Sequence, residues 1–268
     1  TGFAEPDTAI KDIKILVVED IALNQLLMRT VLNDFGFECE IAANGKLAVE
    51  LLETKTFDII LMDLQMPLMN GFEATEFIRN RMGLTLPIIA LTADVTTVDL
   101  QKCKAVGMND YIAKPIDERL LYSKIVGFLR KPGMIRPGLP DVDKPCRKEK
   151  CIDLGYLKRR TKCDRGLMME MITLYLGQTT PMIVMMKESQ RKKDWRTLHA
   201  TVHKLIPSFS IMGISRDYEN MAKKIQEYAG REQHLDQIPE LMLQVIDVLE
   251  QADKELEEEL ELIKASGI

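Results

Sequence analysis

The chain has 268 residues, of which 46% are hydrophobic and 29% charged, with a formal net charge of -5. That length suffices for two ordinary domains, each burying its own core, while the acidic balance argues against a nucleic-acid surface, which needs a basic patch to neutralise phosphates. Five cysteines in no regular framework suit a reducing compartment, and no stretch approaches the roughly 20 apolar residues of a membrane span, so direct membrane contact is not expected.

Residues 1–11 read as a tail with neither an initiator methionine nor a signal-peptide pattern, which suggests a piece of a longer protein. Short apolar runs then alternate with helical patterns: "IKILVV" (13–18), "FECEIA" (37–42), "FDIILM" (57–62), "PIIALT" (87–92) and "DYIA" (110–113). Continuous apolar runs separated by amphipathic helices predict a five-stranded parallel sheet covered on both faces, a small doubly wound α/β fold over 12–130. Residues 131–150, rich in proline, have no hydrophobic periodicity and read as a linker. Cys146 at its end and Cys151 just beyond lack a second pair at metal-site spacing and are read as thiols. From 151 to 268 strand signals vanish, and helices are expected at 164–178, 181–192, 195–212, 216–229 and 238–264. Thr180-Pro181 is read as an N-cap with proline at the first helical position. The result is an all-α bundle, and the acidic run "ELEEELE" near its end reads as a solvated face.

In open α/β sheets ligands bind beyond the carboxyl ends of the strands. Strand 1 ends in Glu19 and Asp20, strand 3 in Asp63, strand 4 in Thr92, and strand 5 in Lys114 and Pro115. Clustered carboxylates repel one another unless a cation sits among them, and a hard divalent ion such as Mg2+ (or Mn2+) fits that need. The set suits phosphoryl chemistry, with Asp63 as nucleophile, Lys114 neutralising equatorial oxygens beside the metal, and the Thr92 hydroxyl donating a hydrogen bond.

The segments "ILVVED" (15–20), "LMDLQMPLMNG" (61–71), "ALTAD" (90–94) and "GMNDYIAKP" (107–115) resemble, in order and spacing, the flavodoxin-like receiver domain of two-component response regulators. The resemblance implies that Asp63 is the phosphoacceptor, that Asp20 and Asp63 bind Mg2+ with the Gln65 carbonyl, and that Glu19 assists through water. It also places Thr92 and Tyr111 at the family's switch positions.

The stretch "DWRTLHATVHKLIPSFSIMG" (194–213) holds His199 and His203 four residues apart. Trp195, Leu198, Val202, Leu205 and Phe209 mark a buried helical stripe. At 100° per residue His203 falls about 130° and His199 about 90° from its centre, so His203 is expected to face solvent, free to accept a phosphoryl group. Zinc is disfavoured, because Ala200 stands where an H-E-x-x-H motif has glutamate. This stretch resembles the histidine-phosphotransfer domain, with His203 aligned to its phosphoacceptor and Gly213 to a glycine ten residues later. Where that family has lysine and glycine three and four residues after the histidine, this chain has Ile206 and Pro207. Arg196 or Lys204 is expected to supply the missing charge. Pro207 lacks the amide that would bond the His203 carbonyl and is expected to kink the helix.

Together these resemblances imply a phosphorelay segment that looks like the C-terminal receiver and phosphotransfer region of a bacterial hybrid sensor histidine kinase, expected to be cytoplasmic or tethered to the inner membrane by upstream domains. Its partners would be an upstream kinase domain as donor and a downstream response-regulator receiver. No glycine-rich nucleotide loop is present for autonomous kinase activity. A haloacid-dehalogenase-type phosphatase would carry an acid where Gln65 stands. The alternative is a receiver-controlled binding module whose altered bundle no longer transfers phosphate.

Overall fold

The computed structural model describes residues 13–92, 97–114, 116–129 and 151–265, with the backbone alone for 97–100. The tail at 1–11, the linker at 131–150 with Cys146, the Ala93-Asp94 end of the fourth-strand motif and Pro115 lie outside the described residues. The chain divides into two compact units, Thr1–Asp143 and Lys144–Ile268.

The first unit alternates β1 (Lys14–Val18), α1 (Ala22–Asp34), β2 (Glu38–Ala42), α2 (Gly45–Thr54), β3 (Ile59–Asp63), α3 (Gly71–Asn80), β4 (Ile88–Thr92), α4 (Thr97–Ala105), β5 (Asp110–Ala113) and α5 (Glu118–Leu129). All neighbouring strands pair in parallel, in the order β2-β1-β3-β4-β5. The apolar runs form strands because both faces are covered. Ile15, Val17, Ile59, Leu61, Ile89 and Leu91 point into one core with α1 and α5, while Leu16, Val18, Ile60, Met62, Ile88 and Ala90 point into the other with α2 and α3. The chain winds one way from β1 to β2 and the other way from β1 to β3, which opens a crevice beyond the carboxyl ends of these two adjacent strands.

The second unit is helical: α6 (Gly155–Arg160), α7 (Arg165–Lys192), α8 (Trp195–Met212), α9 (Arg216–Arg231) and α10 (Ile238–Ala265). The two helices expected at 164–178 and 181–192 are one, and Pro181 lies inside α7 rather than at a helix start. The buried stripe explains why: Met168, Ile172, Tyr175, Thr179, Ile183 and Met186 continue at spacings of three and four across the proline. Burial of that face outweighs the roughly 3 kcal/mol that an interior proline costs. The carbonyl four residues back belongs to Gly177, whose surroundings are open. The short α6, absent from the sequence reading, buries Leu157. Helix α8 also runs unbroken through its proline, Pro207. It starts at Asp194, whose carboxylate accepts from the Thr197 amide at 3.0 Å, and stops at Gly213, in the left-handed region at φ 70°. Among the described residues no helix is long and apolar enough to cross a membrane.

Candidate functional site

The crevice between β1 and β3 gathers the residues that close the strands. Glu19 follows β1 and is 1% exposed, Asp63 ends β3 and is 3% exposed, and Lys114 follows β5 and is 8% exposed. The Lys114 ammonium donates to Glu19 Oε2 and Asp63 Oδ2, at 2.7 Å each. Lys114 is carried there by the last turns of the β4–β5 pairing, where its amide bonds the Thr92 carbonyl at 2.6 Å. Thr92 itself ends β4 and is buried. Burial works against the Lys114 ammonium, but the two carboxylates outweigh it and raise its pKa. Burial likewise pushes the Glu19 carboxyl up, with Lys114 opposing and Asp63 reinforcing the shift.

Glu19, Asp20 and Asp63 each bring a carboxylate oxygen within 4.8 Å of the others. Both Glu19 oxygens are engaged: Oε2 by Lys114, Oε1 by the Ile21 amide at 3.2 Å and the Asn24 side chain at 3.1 Å. The three carboxylates together suit a hard divalent cation. Gln65 is exposed, and its amide donates to Asp63 Oδ1 at 3.2 Å. The loop after Asp63 is pinned by the capping box at Asn70 and Glu73, which starts α3. Gly71 then packs so closely on the Asp63 carbonyl that a Cβ there would collide with it. The sequence reading quoted Gly71 within a motif but gave it no task. Tyr111 on β5 is half-buried, with the Lys124 ammonium 5.4 Å from its ring centroid.

In the helical unit, His203 does not face solvent. It is 7% exposed, and Gln226 of α9 contacts its Nδ1 at 3.2 Å. The single-stripe reading fails because α8 is an inner helix, packed against both α7 and α9. Thr201, Val202, His203, Leu205, Ile206, Pro207, Ser208 and Phe209 are all buried, so over that span only Lys204 keeps a partly open position. Trp195, expected in the buried stripe, is only partly buried at the helix start. Gln226, missed from sequence, had no motif to reveal it and lies 23 residues from its partner. His199 is partly exposed, Arg196 exposed and Lys204 partly buried. The rings of His199 and His203 stack with centroids 6.4 Å apart and 8° between planes. Gly213 has a packing role: its carbonyl accepts from the Asp153 amide at 3.2 Å, and a Cβ on it would strike the Asp153 backbone.

Residues 15–126 match the family model for the response regulator receiver domain. Hybrid signal transduction histidine kinase I of Dictyostelium discoideum is 43% identical over 120 residues, which make up 42% of this chain and 7% of that protein. The chain thus spans a small fraction of that relative's length. Among solved structures, the receiver domain of sensor histidine kinase PA1611 from Pseudomonas aeruginosa, with magnesium coordinated in its active site cleft, is 37% identical. It covers 44% of this chain and 97% of that one, at TM-score 0.41. A complex of the Saccharomyces cerevisiae histidine phosphotransfer protein Ypd1 with the receiver domain of its downstream response regulator Ssk1 is 31% identical, covers 44% of this chain and 90% of that one, at TM-score 0.42.

Proposed function

From the premise that its N-terminal part is a response regulator receiver domain, homologous to the receivers of hybrid histidine kinases, we propose that this chain captures a phosphoryl group on Asp63 and exchanges it with His203 of the helical unit. The observation that carries the first half is the buried Glu19–Lys114–Asp63 arrangement next to Asp20. An Mg2+ ion (or Mn2+) held by Asp20, Asp63 and the Gln65 carbonyl, with Glu19 through water, would supply positive charge against the transferring oxygens. An Asp63 oxygen attacks phosphorus while the donor's leaving group departs. Lys114, already on Asp63, stays to pair with the new anionic oxygens, and the Thr92 hydroxyl donates to one of them. Tyr111 would follow Thr92 as the switch residue. In the second half, the contact from Gln226 on Nδ1 orients the His203 ring, whose imidazole would take the phosphoryl group. Receiver homologues interact with histidine phosphotransfer proteins and kinases, which supports an upstream kinase domain as donor and a downstream receiver as recipient.

A second reading draws support from the burial of His203 and from the apolar Ile206 and Pro207 beside it: a working receiver that governs a binding bundle incapable of transfer. One experiment separates them. The full chain is incubated with a small phosphodonor and Mg2+, and the label is tested for acid and alkali stability in wild type, Asp63→Asn and His203→Gln. Acid-labile, alkali-stable label that requires Asp63 and disappears in His203→Gln supports the exchange. Label confined to Asp63 supports the binding module, and no label in wild type overturns both.

A further inference from the structure

We propose that Lys124 is a positioning residue for the switch: its ammonium holds the Tyr111 ring in its resting place and so sets how readily a phosphoryl group is taken up at Asp63. The inference rests on the reading of Thr92 and Tyr111 as switch residues and deepens it by naming what opposes their movement. The strand register shows how the two side chains are related. Tyr111 pairs with Ala90 and Ala113 with Thr92, so all four side chains lie on one face of the sheet, two residues apart along each strand. Thr92 and Tyr111 occupy opposite corners of that square and alanines the other two, so no bulky side chain of β4 or β5 stands between the hydroxyl and the ring.

Lys124 approaches the ring from α5, which packs on the opposite face. β5 is an edge strand, and its residues alternate: Ile112 joins the core with Leu121 and Ile125 of α5, whereas Tyr111 packs against the core of the other face. The Lys124 side chain reaches round that edge. Its Nζ lies over the Tyr111 ring, 5.4 Å from the centroid, within the range of a cation–π contact. It also donates to Asp110 Oδ2 at 2.6 Å, while Asp110 Oδ1 accepts from the Tyr111 amide at 2.8 Å. The ammonium is thus fixed by a carboxylate bonded to the backbone of the very residue whose ring it covers. The Lys124 and Asp110 side chains are only 21% and 28% exposed, which limits screening by water. If the ring follows Thr92, it slides along the sheet face away from the edge, while Asp110 keeps the ammonium where it is. The contact exists in one position of the ring and is lost in the other, and such a difference biases the equilibrium between the two.

The test uses the full chain with Mg2+ and beryllofluoride, a stable mimic of the phosphoryl group. Fluorine NMR gives the dissociation constant in wild type, Lys124→Met, Lys124→Arg, Tyr111→Ala and the double variant Lys124→Met/Tyr111→Ala. Methionine keeps an apolar stem without charge, and arginine restores a cation that stacks on aromatic rings. Lys124→Met should bind beryllofluoride about threefold tighter than wild type, the ratio expected when a partly exposed cation–π contact is removed from the resting state alone. Lys124→Arg should return to the wild-type value, and the methionine should have no effect in the Tyr111→Ala background. Unchanged or weaker binding in Lys124→Met, a gain that persists without the Tyr111 ring, or equally tight binding in Lys124→Arg overturns the proposal and leaves the chemistry of Asp63 standing. Failure of wild type to bind beryllofluoride overturns the reading of Asp63 as phosphoacceptor, and this inference with it.

Discussion

Lys114 is the residue on which the acidic crevice depends. Its ammonium is buried between Glu19 and Asp63, and removing one partner from a buried ionic cluster costs about 3–5 kcal/mol, because the remaining charges lose their compensation. Lys114→Ala should therefore lower the denaturation midpoint of the receiver domain in chelator, and Mg2+ should raise it by more than it raises the wild type. Equal metal responses would show that no divalent ion shares the site. Gly213 has a different dependence: at φ 70° and against the Asp153 backbone, it leaves no room for a methyl. Gly213→Ala should cost more than about 1 kcal/mol in urea titration, with the phosphoryl chemistry of Asp63 untouched. Both residues stood out in the sequence as motif members. So did Glu19 and Asp63, the partners of Lys114; the partner of Gly213 did not, since Asp153 lies 60 residues earlier and only the folded chain brings it near.

At the scale of elements, the two interior prolines invite opposite outcomes. Pro181 is exposed on α7, so Pro181→Ala restores an amide and removes ring crowding with little packing lost. The expected effect is stabilisation of up to about 3 kcal/mol, read from the melting of the helical unit. Pro207 is buried on α8, and its replacement forfeits contacts that offset the same gain. The three central strands β1, β3 and β4 were legible because their apolar runs are covered on both faces, which leaves little alternative to a parallel sheet. Helix ends were less so. The Thr180-Pro181 pair has the local chemistry of a helix start, yet a buried stripe running from Met168 to Met186 keeps α7 whole. The outward position expected for His203 failed for a related reason: a helical wheel finds one buried face, and α8 has neighbours on more than one.

At the scale of the whole molecule, acidity should act on the two units separately. In the helical unit the Asp253 carboxyl is pushed up to about 6, first by burial and then by Glu257 and Glu250 on its own helix, with the Thr180 side chain opposing. The folded state thus binds this proton more tightly than the unfolded chain. Its contribution to stability is fully present below the unfolded value near 3.8 and is lost as pH rises through about 6. Asp253→Asn should accordingly be more stable than wild type at pH 7.5, and the difference should shrink towards pH 4 when denaturant midpoints are compared. A constant difference across that range would refute the assignment.

The parallel pairing of β1 with β3 joins Ile15 to Ile59 across an intervening strand and two helices, whereas α7, α8 and α9 meet as successive antiparallel hairpins. Distant pairings close slowly because a long loop must be ordered before any contact rewards it. Refolding from denaturant should therefore order the later-synthesised half first. The sole tryptophan, Trp195, sits at the start of α8, so its fluorescence should recover ahead of the phase that restores the sheet.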